Sequence, residues 1–183
     1  MKSFAISAVA AAALGLVSAG AHADSGTIQF NGELIAGTCD TDVDGGGSAD
    51  GTVKLPAVQT RDLTGASGKI TGGDTSYKVI LKNCTAITGF SKALVFYQAG
   101  ATVDPVDGRL IVQPGGAENV KIELLNQDGT QIKAGYATDL QNSKAVDISS
   151  GGATLWYIAR YYATGQTTAG AANSSVVYSV AYQ

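Results

Sequence analysis

The chain has 183 residues and a formal net charge of −3, with 24 glycines, three prolines and one histidine. A mildly acidic chain whose charges are scattered is a poor match for nucleic acid or for an anionic membrane surface. A single imidazole removes the commonest general base and metal ligand from most enzyme mechanisms.

Lys2, the apolar run over residues 5–17 and the small residues ending in Ala21-His22-Ala23 follow the order of a secretory signal peptide, so residues 1–23 are expected to be removed. The run is shorter than the roughly 20 apolar residues that cross a bilayer. Its removal takes away the only histidine and leaves 11 basic against 15 acidic side chains, a net of −4, on a chain sized for one domain.

Residues 26–34 (GTIQFNGEL) alternate. Gly26, Ile28, Phe30, Gly32 and Leu34 share one parity, Thr27, Gln29, Asn31 and Glu33 the other, which predicts an extended segment with one apolar edge. Cys39 and Cys84 follow, and export to an oxidising compartment makes one intramolecular disulfide the expectation. A shared zinc ion would lack two further ligands. Asp40-Thr41-Asp42-Val43-Asp44-Gly45 opens like an EF-hand loop, but Gly51 stands where the bidentate Glu belongs, so the stretch reads as a solvated acidic loop.

Strands are predicted over residues 76–82 (SYKVILK), 93–98 (ALVFYQ), 109–113 (RLIVQ), 120–126 (VKIELLN) and 154–163 (TLWYIARYYA), each rich in Val, Ile, Leu or Tyr with a period of two. Gln127-Asp128-Gly129-Thr130 supplies an Asp-Gly hairpin turn. The glycine pairs at 72–73, 115–116 and 151–152 read as turns and bulges, since a phosphate-binding loop needs a following helix. Alternation sends Trp156, Ile158, Arg160 and Tyr162 to one face and Leu155, Tyr157, Ala159 and Tyr161 to the other, so this aromatic cluster is assigned to a sandwich core in preference to a sugar platform. The sequons at Asn83 and Asn173 are patterns frequent by chance. No serine or threonine sits in a nucleophile elbow, and catalysis is not expected.

In the last strand Val176, Tyr178, Val180 and Tyr182 share one face, with Val177, Ser179 and Ala181 on the other. It ends at Gln183 with no hairpin partner to follow, so one of its edges has to be covered in another way. An apolar-edged segment at one end of the chain and an unpaired strand at the other suit each other.

Four stretches, GTIQFNGELIAGTC (26–39), YKVILKNC (77–84), VKIELLNQDGTQI (120–132) and ARYYATGQTTAGAANSSVVYSVAYQ (159–183), resemble the chaperone/usher pilin family, close to type 1 fimbrial major subunits. Gly170, fourteenth from the C-terminus, and the penultimate Tyr182 are the specific details. The resemblance implies an all-β, immunoglobulin-like β-sandwich lacking its final strand and completed by donor-strand exchange, with residues 24–38 as donor extension and 39–183 as pilin domain. The donor residues would be Gly26, Ile28, Phe30, Gly32 and Leu34; the acceptor groove would involve Gly170, Val176, Tyr178, Val180 and Tyr182. Implied partners are identical or related pilin subunits, a periplasmic chaperone and an outer-membrane usher, with no cofactor, metal, nucleic acid or membrane insertion. The product would be an adhesive fimbrium on the bacterial surface, reached through the periplasm. The competing expectations are a monomeric secreted carbohydrate-binding β-sandwich and a minor adapter pilin.

Overall fold

Runs that alternate polar and large apolar side chains lie extended when only one face can be buried, and such runs dominate this chain. The computed structural model describes Gln29 and residues 39–65, 70–85 and 89–183. In chain order these hold β1 (Asp40–Val43), β2 (Thr71–Lys82), β3 (Lys92–Tyr97), β4 (Leu110–Ile111), β5 (Val120–Asn126), β6 (Gln131–Ile132), α1 (Thr138–Gln141), β7 (Val146–Asp147), β8 (Ala153–Ala163) and β9 (Tyr178–Tyr182).

The strands form two antiparallel sheets. One has the order β1-β2-β8-β5-β4, with β6 also on β5; the other has the order β7-β3-β9. Tyr77, Val79 and Leu81 of β2, Leu155, Tyr157 and Ala159 of β8, and Ile122 and Leu124 of β5 face Ala93, Val95 and Tyr97 of β3 across a single core. This is the predicted sandwich. The predicted hairpin is present too: Gly129 takes φ +81°, and Asp128 Oδ1 accepts the Thr130 N–H at 3.1 Å.

Two expectations are corrected. Trp156 is not in the core: it lies on the outer face, 44% exposed, with the Lys78 ammonium 5.4 Å from its ring centroid. Alternation separates two faces of β8 but does not say which one looks inward, and Tyr157 took that place. The acidic stretch after Cys39 is not a solvated loop over its first four residues, because β1 pairs with β2 from Asp40↔Lys82 to Val43↔Val79. The Cys39–Cys84 disulfide joins the residues just before β1 and just after β2, which holds the two strands side by side. Asp42 is then nearly hidden, accepting Lys82 Nζ at 2.7 Å and the Gly47 N–H at 3.0 Å. The hydrogen bond from Lys82 holds its carboxyl below the usual range.

The edge of β3 away from β9 is closed by two devices. β7 covers Lys92 and Ala93. Beyond it the fully buried Gln141 accepts the Tyr97 N–H at 2.7 Å and donates Nε2 to the Tyr97 carbonyl at 2.9 Å, as a neighbouring strand would. On the outer face of the larger sheet, Glu123 accepts Arg109 Nε at 3.0 Å and Arg160 Nε at 2.7 Å, and the Arg109 guanidinium lies 3.5 Å from the Tyr162 ring centroid. That cluster ties the loop before β4 to β5 and β8.

Candidate strand-acceptor groove

β9 has one partner. It pairs with β3 from Ala93↔Tyr182 to Tyr97↔Tyr178, and the ladder continues where the Gln98 N–H meets the Val177 carbonyl at 2.8 Å. Among the described residues no strand lies on its other edge. Lys92 and Gln183 exchange both of their backbone bonds, at 2.8 and 2.9 Å. Because an antiparallel ladder alternates, the N–H groups of Tyr178, Val180 and Tyr182 therefore point to the open edge.

Facing that edge is a second rim without a strand partner among the described residues. Residues 51–58 form no strand and make no backbone hydrogen bond to another described residue. Val53 and Leu55 pack on the core. Between the rims is a cavity of about 650 Å³, with Tyr77, Val79, Tyr97, Leu110, Ile122 and Leu124 along its floor. Backbone donors and acceptors left unpaired beside apolar surface are costly. A strand laid in this groove could bond to both rims while its side chains met the floor.

The rim approaches so closely because of Gly51: a Cβ there would lie 2.3 Å from Val43 Cγ1. Upstream, the Val43 N–H donates to the Ser48 carbonyl at 2.9 Å. Two tyrosines then span the groove. Tyr178 donates its hydroxyl to the Ala49 carbonyl at 2.7 Å, and the Tyr182 hydroxyl accepts the Cys39 N–H at 2.8 Å. On the floor the Tyr77 and Tyr97 hydroxyls lie 2.7 Å apart. Burial pushes both phenols well above the ordinary tyrosine range, so the floor carries no charge near neutral pH.

Of the residues singled out from sequence, Val176, Tyr178 and Val180 line the groove. Tyr182 closes one end through Cys39, whose disulfide to Cys84 lies there. Gly170 is not on the groove wall: it lies against Ala117, whose backbone nitrogen a Cβ would approach to 2.7 Å. Gly26, Ile28, Phe30, Gly32 and Leu34 lie outside the described residues. Sequence reasoning passed over the rim at residues 49–55 and the tyrosine pair on the floor. A period-two signal was present at the rim, where Val53 and Leu55 alternate with Thr52, Lys54 and Pro56.

Residues 55–183 match the family model described as FimA, type-1 fimbrial protein, A. The chain is 40% identical over 162 residues to the F17 fimbrial protein of Escherichia coli, covering 86% of this chain and 87% of that one. It is 37% identical over 168 residues to the major fimbrial subunit SMF-1 of Stenotrophomonas maltophilia, covering 88% and 95%. Among solved structures, the P pilus rod subunit PapA superposes with a TM-score of 0.60 at 18% identity over 80% of this chain and 99% of that one, which speaks to the fold. An antigen and type I fimbria protein of Burkholderia pseudomallei superposes with a TM-score of 0.55 at 27% identity, covering 81% and 97%. An open-edged sandwich with this family match and these relatives belongs to the type-1 fimbrial protein family.

Proposed function

We propose that residues 24–38 of one copy of this chain fill the groove of the next, joining copies end to end into a fimbria on the bacterial surface. The chain is a structural subunit of such a fimbria and not an enzyme. One observation carries the reading: β9 and residues 51–58 face each other across an apolar groove, each without a described partner on that side. Inserted main chain would satisfy both rims, and alternate side chains would set the register. Burying Ile28, Phe30 and Leu34 would contribute about 1.5–3 kcal/mol each.

In this reading residues 1–23 direct export through the periplasm, residues 39–183 are the acceptor domain, and residues 24–38 are the donor arm. The groove would have to be covered before assembly, which is the task of a periplasmic chaperone, and an outer-membrane usher would exchange that cover for the next subunit's arm. Shaft and adapter positions in the fimbria would use the same groove.

Deleting residues 24–34 tests the assignment. The shortened chain should bind a synthetic peptide of residues 24–38 and form no fibres. Fibres of ordinary length from the shortened chain would overturn it.

A further inference from the structure

If the groove takes a neighbour's arm, as proposed above, the surface beside it acquires a role that rests on that reading. The groove has two distinguishable ends. At one, the Cys39 N–H meets the Tyr182 hydroxyl and Cys39 is bonded to Cys84, so the segment preceding Cys39 is joined to the domain there. At the other, Ser174 Oγ donates to the Ile111 carbonyl at 2.6 Å and Thr102 Oγ1 donates to the Ser175 carbonyl at 2.6 Å. If the arm of each copy leaves by the Tyr182 end, the copy that fills this groove has to stand at the Ser174 end, since two bodies cannot share one pole.

An apolar surface lies where that body would stand. A second cavity, of about 550 Å³, is walled by Ala99, Ala101, Val103, Ile111 and Tyr136 and has no charged side chain in its lining. Val106 stands beside it, 83% exposed, its carbonyl accepting the Tyr136 hydroxyl at 2.7 Å. Val177 is exposed as well, opposite Gln98 and one residue from the groove-lining Val176. The patch is thus continuous with the acceptor groove through residues 174–177. Exposed apolar side chains gathered in this way mark an interaction surface.

We propose that the patch formed by Val106, Ile111 and Val177 seats the body of the second copy whose arm occupies the groove. Residues 26–34 match residues 174–182 in length, so Leu34 of the incoming arm would reach the Ser174 end. The five Cα steps from Leu34 to Cys39 span at most about 17 Å. The incoming copy's Cys39 pole is therefore held close to the patch, where tethering raises its effective concentration. The contact is heterologous, patch to pole, and repeats along a filament.

The test uses the full chain. A photo-reactive benzoylphenylalanine at position 106 is expected to give cross-linked dimers in fibres, with the cross-link in the second copy near Asn83, Cys84 or Gln183; the same probe at the exposed Ser76 should give none. Val106→Lys is expected to bind the 24–38 peptide within about twofold of the parent and to lose about tenfold or more in affinity for a full-chain partner. Val106→Lys fibres as stable as the parent's, or cross-links away from that pole, would overturn the proposal while leaving the groove reading intact. Failure of the peptide to bind the parent chain would remove the groove reading and this inference with it.

Discussion

β8 and β9 are built from the same materials and end in opposite situations. Both alternate tyrosines and aliphatic residues. β8 is paired on both edges, by β2 and by β5, and Leu155, Tyr157 and Ala159 are buried beneath it. Among the described residues β9 is paired by β3 alone, and every one of its five residues is only partly buried. The sequence pattern that builds a strand does not say how many neighbours it has; β9, with one neighbour among the described residues, has its inner face packed to half measure and its outer N–H groups without a described partner. Under the function proposed above, that shortfall gives each subunit a use for a strand from elsewhere.

The largest effects should come from altering β8 and β9 separately. Leu155→Ala is expected to destabilise the chain by about 2–5 kcal/mol whether or not the groove is filled, read by denaturant unfolding with and without the 24–38 peptide. Val180→Ala should cost the free chain about 1 kcal/mol or less and fall mainly on peptide affinity. A Val180→Ala cost as large as that of Leu155→Ala, without peptide, would erase the contrast.

Replacing both cysteines, Cys39→Ser with Cys84→Ser, is expected to cost up to about 4 kcal/mol and to loosen β1, the strand next to the open rim. Chemical denaturation curves compared with those of the parent chain would measure it.

The tyrosine pair on the floor sharpens the comparison further. Tyr97→Phe leaves the Tyr77 hydroxyl buried without its partner and should cost about 1–3 kcal/mol, whereas Tyr77→Phe combined with Tyr97→Phe should recover much of that loss. A double-mutant cycle on unfolding free energies would detect the recovery.

The smallest effect is expected with pH. The carboxyls of Asp42, Asp104 and Asp128 are held below the usual range, first by hydrogen bonds from Lys82, Lys121 and Lys144 respectively. Their folded pKa lies below the unfolded value, so their stabilisation is complete above about pH 4 and is lost as pH falls below that toward the folded values. Tyr77 and Tyr97 shift the other way through burial, so their contribution is intact below about pH 10 and lost above it. Melting temperature followed against pH should fall at both extremes, and Asp42→Asn should soften only the acid side.

Much of the sandwich was legible because strand-forming runs are local: β2, β3, β5 and β8 lie in runs rich in Val, Ile, Leu and Tyr around Tyr77, Val95, Leu124 and Tyr157, and Tyr77 alternates with the polar Ser76 and Lys78. What was not legible depended on contacts far apart in the chain. β1 became a strand because the disulfide lays Asp40 beside Lys82, although its composition reads as a loop. The predicted strand at residues 109–113 is cut to Leu110–Ile111 because Gln113 turns to bond Asn173. Gln141 closes a sheet edge from a short helix, a role that no local pattern announces. The groove itself was half visible: Val176, Tyr178 and Val180 declare one wall, but the other, at residues 51–58, is defined only by what it faces.

Amide exchange at Tyr178, Val180 and Tyr182 tests most directly whether that edge of β9 is vacant. In the chain lacking residues 24–34, these three N–H groups should exchange rapidly while those of β8 are protected, and adding the 24–38 peptide should slow them to the β8 level. Protection already equal to that of β8 before any peptide is added would mean that β9 has no vacant edge, and assembly through an inserted strand would be ruled out.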